Sequence, residues 1–233
     1  MLQTPITQPL GASSVVFLFD VDNTLLDSDR VIADLMRHLE RTIGQERQQH
    51  YWEIFNELRA EVGYADYLGA LQRYRARYPR DPHVLTVSSF LVNYPFANRL
   101  FPESLDVIDR VKQWGSAVVC SDGDVVFQPL KIERSGLREA VDGNVLIYVH
   151  KEHEIGDIER RFPANHYVLV DDKLRLLTAF KQVWGRRVTT VFPRQGHYAF
   201  DPAILEAYPP ADLSIPRIGA LMQFDRGQLV SSG

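Results

Sequence analysis

The stretch VVFLFDVDNTLLDS, residues 15–28, decides how the rest of the 233-residue sequence is interpreted. Its first five residues are all apolar, which is typical of a strand that is covered on both faces. The run ends at Asp20, and a second aspartate, Asp22, follows two positions later. Because burying an unpaired carboxylate is costly, two acids at the end of a core strand require a metal ion, a cationic partner or solvent.

Four further short apolar runs are similar to the first one. They predict strands at 117–120, 145–149, 167–170 and 188–192. Helical character follows the second, third and fourth strands, in the segments 127–135, 152–161 and 174–184. Glycine or proline ends each of these segments, as is usual for helices. Strands that alternate with helices indicate the α/β class, and we expect a Rossmann-like, doubly wound parallel sheet.

The interval 29–93 is different, because it contains no convincing strand. Apolar residues recur there at helical spacing, as in VIADLMRHL. We therefore expect three or four helices, inserted after the first strand as an α-helical cap. The predicted domains are a catalytic core at 1–28 and 94–233 and a cap at 29–93. The segment from Pro209 onward is expected to be a loosely attached extension, in which LSIPRIGALM is a candidate for one last docked element.

Composition and charge limit the classes of function. The sequence is 45% hydrophobic and 24% charged, which is ordinary for a globular protein, and its net charge of -4 gives no reason to expect nucleic acid or an anionic membrane. The single cysteine, Cys120, excludes an intramolecular disulfide and a cysteine-rich zinc site. No apolar run approaches the ~20 residues that span a bilayer, and MLQTPITQPLGASS lacks the features of a secretory signal. A cytoplasmic monomer or homodimer is expected.

Polar residues follow four of the predicted strands, at the point where each strand ends. They are Asp20 and Asp22 after the first, Ser121 after the second, Lys151 after the third, and Asp171 and Asp172 after the fourth. In an open parallel sheet, ligands bind outside the carboxyl ends of the strands, so we expect these groups at one edge. Carboxylates, a hydroxyl and an ammonium suit a phosphoryl group that is held beside a hard divalent cation.

This set of motifs resembles the haloacid dehalogenase-like hydrolase superfamily. FDVDNTLL carries the resemblance most specifically, and VVCS, the lysine and VLVDD follow in the family's order. The resemblance implies that Asp20 is the nucleophile. It implies that Asp22 is the general acid and base and offers its backbone carbonyl to Mg²⁺. A covalent aspartyl-phosphate would then divide one difficult displacement into two easier ones.

The remaining motifs imply the rest of the site. Ser121 and Lys151 match the residues that hold the phosphoryl oxygens, and Asp172, with Asp171 beside it, matches the acidic motif that completes Mg²⁺ binding. Lys131 competes with Lys151 for the phosphate-binding role, but we expect Lys131 in mid-helix, facing solvent. The implied Mg²⁺ ligands are Asp20, Asp22, Asp171 and Asp172.

Dehalogenation is the other well-known chemistry of the family, and the acidic residues discriminate against it. In dehalogenation the aspartate attacks carbon without a metal, and the position of Asp22 need not be acidic. The sequence therefore predicts a Mg²⁺-dependent phosphohydrolase that acts on a small phosphorylated metabolite through an aspartyl-phosphate. No single residue of the cap names that metabolite.

Two departures from the family pattern keep alternatives open. KLRLL follows the fourth motif without a further acid, and Lys151 is followed by Glu152 where the family often has proline. A catalytically weak or inactive relative that binds a phosphorylated ligand or a protein partner remains possible on these grounds, as does a phosphomutase with the same core.

Several polar residues have ordinary structural interpretations. The two histidines of HKEHE lack the spacing of a zinc motif and are expected at a solvated helix start. Asp124 suits either a loop or a position beside the site. The predicted helix YLGALQRYRARYP carries three arginines, of which one could reach an anionic end of the substrate; they are Arg73, Arg75 and Arg77.

Overall fold

A single sheet of parallel strands organises the chain in the computed structural model, which describes residues 15–230. The strands are β1 Val15–Phe19, β2 Ser116–Asp122, β3 Val145–Tyr148, β4 His166–Val170, β5 Val188–Pro193 and β6 Leu213–Ile215. Their spatial order is β3-β2-β1-β4-β5-β6, and every neighbouring pair is parallel. This order is the one associated with doubly wound, Rossmann-like sheets, so the predicted fold class is confirmed.

Helices fill the connections between the strands. The first four are α1 Ser28–Ile43, α2 Gln45–Val62, α3 Tyr67–Arg77 and α4 Val84–Val92. Those of the remaining chain are α5 Ser104–Lys112, α6 Phe127–Arg134, α7 Leu137–Ala140, α8 Ile155–Arg161, α9 Leu174–Trp184, α10 Pro202–Ala207 and α11 Arg226–Val230. Within residues 15–230, no helix combines the length and the apolar character that crossing a membrane requires.

The sheet has a hydrophobic core on each face, because successive side chains of a strand point to opposite sides. Phe17 and Phe19 of β1 belong to the larger core, which also receives α5 and the inserted helices α1–α4. Leu18 of β1 faces the second core, together with apolar residues of α8 and α9. All five residues of β1 are buried, so the strand with the two terminal aspartates lies at the centre of the molecule.

The five predicted strands are present with small shifts at their ends, and the tail differs in part from the prediction. Residues 213–215 form a sixth strand on the sheet edge, and Ile218–Gln223 form a 3₁₀ helix. Ile215 and Leu221 are buried in the larger core. The candidate docked element LSIPRIGALM, residues 213–222, is therefore confirmed, whereas α11 buries Leu229 in the same core and departs from the expected loose extension. A three-residue edge strand carries too short an apolar pattern to be recognised in advance.

The four inserted helices leave and rejoin the sheet region at one place. The amide of Asp27 donates to the carbonyl of Arg99, and the amide of Phe101 donates to the carbonyl of Leu25. These bonds join the chain that enters α1 to the chain that returns after α4. The predicted division into a core at 1–28 and 94–233 and a cap at 29–93 remains a proposal.

Candidate active site

The central strands β1 and β4 bring Asp20 and Asp171 side by side at their carboxyl ends. The amide of Asp20 donates to the carbonyl of Val170 at 2.9 Å, which continues the parallel ladder beyond the strand. The chain then turns, because Asn23 adopts a left-handed conformation at φ 56. In this strand order the direction of winding reverses between β1 and β4, which is where ligands bind in such sheets.

Lys151 contacts both of these aspartates and is 0% exposed. Its Nζ is 2.6 Å from Asp20 Oδ1 and 2.7 Å from Asp171 Oδ2, and it also donates to the carbonyl of Cys120 at 3.0 Å. Burial alone would lower the pKa of Lys151, but the carboxylates of Asp171 and Asp20 raise it well above its usual value. Lys151 is therefore a permanent cation that faces the predicted nucleophile.

Three carboxylates converge beside Lys151 and could hold a metal ion. Oxygens of Asp20, Asp171 and Asp172 all lie within 4.8 Å of one another, and all three residues are buried. Asp20 Oδ2 and both oxygens of Asp172 have no hydrogen-bond partner among residues 15–230. Buried carboxylate oxygens without a donor are costly, and oxygen atoms are the ligands that Mg²⁺ and Ca²⁺ prefer. The three side chains therefore fit a hard divalent cation.

The electrostatics of Asp172 and Asp20 support the same conclusion. Burial raises the pKa of Asp172 well above its ordinary range, and the neighbouring carboxylates of Asp171 and Asp20 add to this effect. Burial also raises the pKa of Asp20, although the ammonium of Lys151 opposes the change. A bound divalent cation would offset both penalties, because an adjacent positive charge favours the ionised carboxylates.

Asp22 points away from these three acids, toward α6. Its Oδ1 lies 2.5 Å from Nζ of Lys131 and accepts from the Ser28 hydroxyl, and its Oδ2 accepts from Gln128 Nε2 at 2.9 Å. Burial would raise the pKa of Asp22, but Lys131 and the bonds from Ser28 and Gln128 lower it to about 2. The side chain of Asp22 is thus ionised and oriented at neutral pH.

The prediction that Lys131 faces solvent was wrong. Lys131 is buried, and it shares one face of α6 with Gln128, three positions earlier. Helical periodicity alone does not say which face of a short helix meets the site, because both faces of α6 carry polar residues. Each aspartate of the first motif therefore has its own lysine partner. Lys151 contacts Asp20, and Lys131 contacts Asp22.

Ser121 occupies the end of β2, next to Asp20. Its hydroxyl lies 3.4 Å from Asp20 Oδ1 and accepts from Gln128 Nε2 at 2.9 Å. Cys120 is buried in the second core, as its position inside a strand predicts. Asp124 accepts from the amides of Val126 and Phe127, so it caps the start of α6 and belongs to the loop.

A pocket of about 410 Å³ opens above these residues, between the sheet and the inserted helices. Asp22, Gln128, Lys131 and Asp172 lie in its wall on the sheet side. The inserted helices and the turn between them supply the facing wall, which includes Phe55, Arg59, Tyr64 and Tyr67. A volume of this size is typical of sites for small molecules.

Comparisons with known proteins match this architecture. The sequence model of the haloacid dehalogenase-like hydrolases matches residues 15–183, which include all six residues predicted for the site.

The chain belongs to the haloacid dehalogenase-like hydrolases.

A haloacid dehalogenase-like hydrolase of Burkholderia xenovorans has a similar solved structure, with 57% identity, a TM-score of 0.87 and coverage of 91% of this chain and 99% of that chain. The structure of a haloacid dehalogenase (HAD) family hydrolase of Bacillus subtilis, bound to magnesium, has 16% identity and a TM-score of 0.58, and the match covers 91% of this chain and 98% of that chain. An L-2-haloacid dehalogenase of Xanthobacter autotrophicus has 18% identity, coverage of 92% and 99%, and a TM-score of 0.59. The last two show a shared fold alone. No curated protein matches the chain significantly.

In this haloacid dehalogenase-like hydrolase, the three arginines of α3 that were candidates for reaching the substrate do not line the pocket. Arg73 pairs with Glu61 on the surface, and Arg75 and Arg77 are exposed on α3. Arg59 of α2 lines the pocket instead. No sequence pattern pointed to Arg59, because its hydrogen-bond partner Tyr198 lies 139 residues away in the chain.

Three other residues of this hydrolase's pocket were also missed from the sequence. Gln128 donates hydrogen bonds to both Asp22 and Ser121. Its position three residues before Lys131 places the two side chains on one face of α6, so a site role for either residue would have indicated the other. Asp122 accepts from the amide of Lys151 at 2.8 Å, which holds the start of that loop in place. Lys173 follows the fourth motif directly, and the carboxylates around it raise its pKa against the effect of burial.

Proposed function

We propose that this chain is a Mg²⁺-dependent phosphohydrolase that acts on a small phosphorylated metabolite through an aspartyl-phosphate on Asp20. The observation that carries the proposal is the convergence of Asp20, Asp171 and Asp172, with three buried carboxylate oxygens that have no donor among the described residues. An aspartate that attacks carbon needs no such group of acids. A phosphoryl group does, because its negative charge repels a carboxylate nucleophile unless a cation lies between them.

The residues around the site would have two kinds of role, metal binding and phosphoryl binding. Asp20, Asp171 and Asp172 would hold Mg²⁺ through side-chain oxygens, and the backbone carbonyl of Asp22 is the further ligand implied by the family resemblance. Mg²⁺ would neutralise the charge of the phosphoryl group. Lys151 and Ser121 would contact the phosphoryl oxygens, where a fixed cation and a hydroxyl stabilise the charge that develops in the transition state.

Two displacements complete the reaction. In the first, Asp22, which is ionised in the free protein, takes up a proton from solvent as the ester binds beside it. An oxygen of Asp20 then bonds to phosphorus, the bond from phosphorus to the substrate oxygen breaks, and Asp22 donates its proton to that oxygen. In the second, water attacks the phosphorus, its proton passes to Asp22, and the bond to Asp20 breaks to release phosphate. Ser28, Gln128 and Lys131 hold Asp22 in one orientation for both proton transfers.

The inserted helices would close the site. We propose that residues 29–93 act as a cap whose movement relative to the core at 1–28 and 94–233 admits substrate and then excludes water. The pocket lies between these two parts of the chain, so its size and polarity depend on their relative position.

A panel of phosphomonoesters with Mg²⁺, read as phosphate release, tests the proposal. We expect turnover of at least one ester, loss of turnover in EDTA, and loss of turnover in Asp20→Asn. Asp109→Asn is the matched control, because Asp109 is an exposed aspartate on α5. Activity retained by Asp20→Asn would refute the nucleophile. Binding of phosphate esters without turnover would favour a non-catalytic relative, and a sugar-phosphate product would indicate a phosphomutase.

A further inference from the structure

Arg59 is a cation in the pocket wall that has no acidic partner within residues 15–230. The other arginine and one of the lysines in the wall are engaged, since Arg175 pairs with Glu152 and Lys131 pairs with Asp22. Within residues 15–230, no carboxylate lies within ion-pair distance of Arg59 or of Lys173. Lys173 is nevertheless close enough to Asp20 and Asp172 for their charges to raise its pKa, so Arg59 is the cation available to a ligand.

A neutral hydroxyl is the present partner of Arg59. Its Nη2 donates to the phenolic oxygen of Tyr198 at 3.2 Å, and Nζ of Lys173 lies 6.0 Å from the centre of the same ring. Arg59 comes from α2 and Tyr198 from the segment after β5, so this bond crosses the pocket. A long bond to a neutral oxygen is weak for a guanidinium, which prefers the paired oxygens of a carboxylate or phosphate.

Tyr67 presents a second unused group in the same wall. It is 9% exposed, its hydroxyl has no hydrogen-bond partner among residues 15–230, and it lines the pocket. Burial and the charge of Asp22 raise the pKa of Tyr67 and the charge of Arg59 lowers it, and all three residues line the same pocket. Its ring stacks on Phe55 with centroids 4.8 Å apart, which makes this part of the wall aromatic.

We propose that Arg59, with the hydroxyls of Tyr67 and Tyr198 beside it, binds a second anionic group of the substrate. This inference rests on the proposed phosphohydrolase function, which places the phosphoryl group at Asp20. The substrate class is then a phosphomonoester with a carboxylate or a second phosphate at its other end. The anion would replace Tyr198 as the acceptor of Arg59, so that a bond to a neutral oxygen becomes an ion pair.

Matched pairs of esters test the subsite by calorimetric binding in Mg²⁺. The pairs are phosphoglycerate with glycerol phosphate, para-carboxyphenyl phosphate with para-carbamoylphenyl phosphate, and propanediol bisphosphate with propanediol monophosphate. Each pair is measured with Asp20→Asn, which prevents turnover, and with the same protein carrying Arg59→Gln, Arg59→Lys or Arg73→Gln. The ratio of dissociation constants within a pair cancels any general weakening of binding. Arg73→Gln controls for loss of an arginine, because Arg73 pairs with Glu61 outside the pocket.

We expect the anionic member of at least one pair to bind about tenfold more tightly, as one charge-assisted bond predicts. Arg59→Gln should reduce that ratio to about one, Arg59→Lys should leave part of it, and Arg73→Gln should leave all of it. The responding pair shows whether the group is a carboxylate or a phosphate. Equal binding within every pair, binding of no ester, or a ratio that survives Arg59→Gln would overturn the subsite.

Phosphate release by the unmodified protein on the same esters separates this inference from the function on which it rests. Release without preference for the anionic members contradicts the subsite alone. A binding preference that depends on Arg59, without release from any ester, contradicts the phosphohydrolase and supports the subsite.

Discussion

Asp172, which we propose as a metal ligand, is buried at the expense of stability. Its side chain is 1% exposed, its two oxygens have no hydrogen-bond donor among residues 15–230, and burial among other acids raises its pKa. A carboxyl whose pKa is raised on folding opposes the folded state at pH values above its unfolded pKa, because its ionised form is disfavoured there. Functional sites often carry such conflicts.

We therefore predict that Asp172→Asn stabilises the metal-free protein. In EDTA at neutral pH, its free energy of unfolding should exceed that of the unmodified protein by about 1–3 kcal/mol. Added Mg²⁺ should stabilise the unmodified protein by mass action and should stabilise the variant much less. Thermal unfolding in EDTA and in Mg²⁺ measures both effects, with Asp109→Asn as the control. A variant that is less stable in EDTA, or that responds equally to Mg²⁺, would contradict the metal site.

Lys131 gives a second prediction about a single side chain. Lys131→Met removes the ammonium from Asp22 and leaves the bonds from Ser28 and Gln128. We expect kcat for phosphate release to fall about tenfold or more, since proton transfer depends on the orientation of Asp22. The melting temperature should change little, because Asp22 is partly exposed and keeps two donors. Lys112→Met, which removes a surface pair with Asp142, is the control. Unchanged kcat would exclude the positioning role.

The inserted helices contact the core closely at Gly63. This residue ends α2 at φ 86, and a Cβ there would lie 2.7 Å from Nε2 of His150. Gly44 ends α1 at φ 81, but a Cβ there would meet nothing within 4 Å. The two glycines therefore share the backbone requirement and differ in the steric one.

We predict that Gly44→Ala and Gly63→Ala each cost about 1 kcal/mol of stability through the backbone, and that Gly63→Ala costs about 1 kcal/mol more through the clash with His150. Chemical denaturation measures the difference. His150→Ala should recover the additional cost in Gly63→Ala and have no such effect in Gly44→Ala. Equal costs at the two glycines would show that the insertion does not pack on His150 in solution.

Asp81 joins three of the inserted helices. Its carboxylate, which is 0% exposed, accepts from the Tyr74 hydroxyl at 2.6 Å, from Arg47 at 2.8 Å and from the amide of His83 at 2.9 Å. Burial would raise the pKa of Asp81, but the bonds from Tyr74, His83 and Arg47 lower it to about 2. The ionised form is therefore the one that ties α2, α3 and the start of α4 together.

A depressed carboxyl pKa stabilises the fold above the unfolded pKa and loses this effect as the pH falls through the folded value. We predict that Asp81→Asn lowers the free energy of unfolding by about 1–2 kcal/mol at neutral pH. The difference from the unmodified protein should shrink as the pH falls from about 4 toward about 2. Urea unfolding across this range measures it. A difference that does not depend on pH would show that the loss comes from packing.

The strands were predictable because a sheet covered on both faces demands continuous apolar runs. The aspartates, Ser121 and Lys151 follow those runs directly, and parallel strands present their carboxyl ends on one edge, so their proximity followed from the topology. Lys131 and Arg59 could not be placed in this way. Both lie on helices, where the face that meets the site depends on how the helix packs against distant parts of the chain.

At the scale of the whole molecule, the sheet and the inserted helices contribute different residues to the pocket. The sheet fixes Asp20, Lys151, Asp171 and Asp172 in a rigid core, and the insertion supplies a wall that crosses to the core through Arg59 and Tyr198. We therefore propose that the residues on the sheet carry out the chemistry and that the inserted helices select the substrate. An L-2-haloacid dehalogenase shares this fold, so the choice between phosphorus and carbon is the central claim.

One assay tests that claim most directly. The unmodified protein and Asp20→Asn are incubated with a mixture of phosphomonoesters and with chloropropionate, in Mg²⁺ and in EDTA, and phosphate and chloride release are recorded together. The account predicts phosphate release that requires both Mg²⁺ and Asp20, with no chloride. Chloride release that persists in EDTA and is lost in Asp20→Asn, without phosphate release, would contradict it.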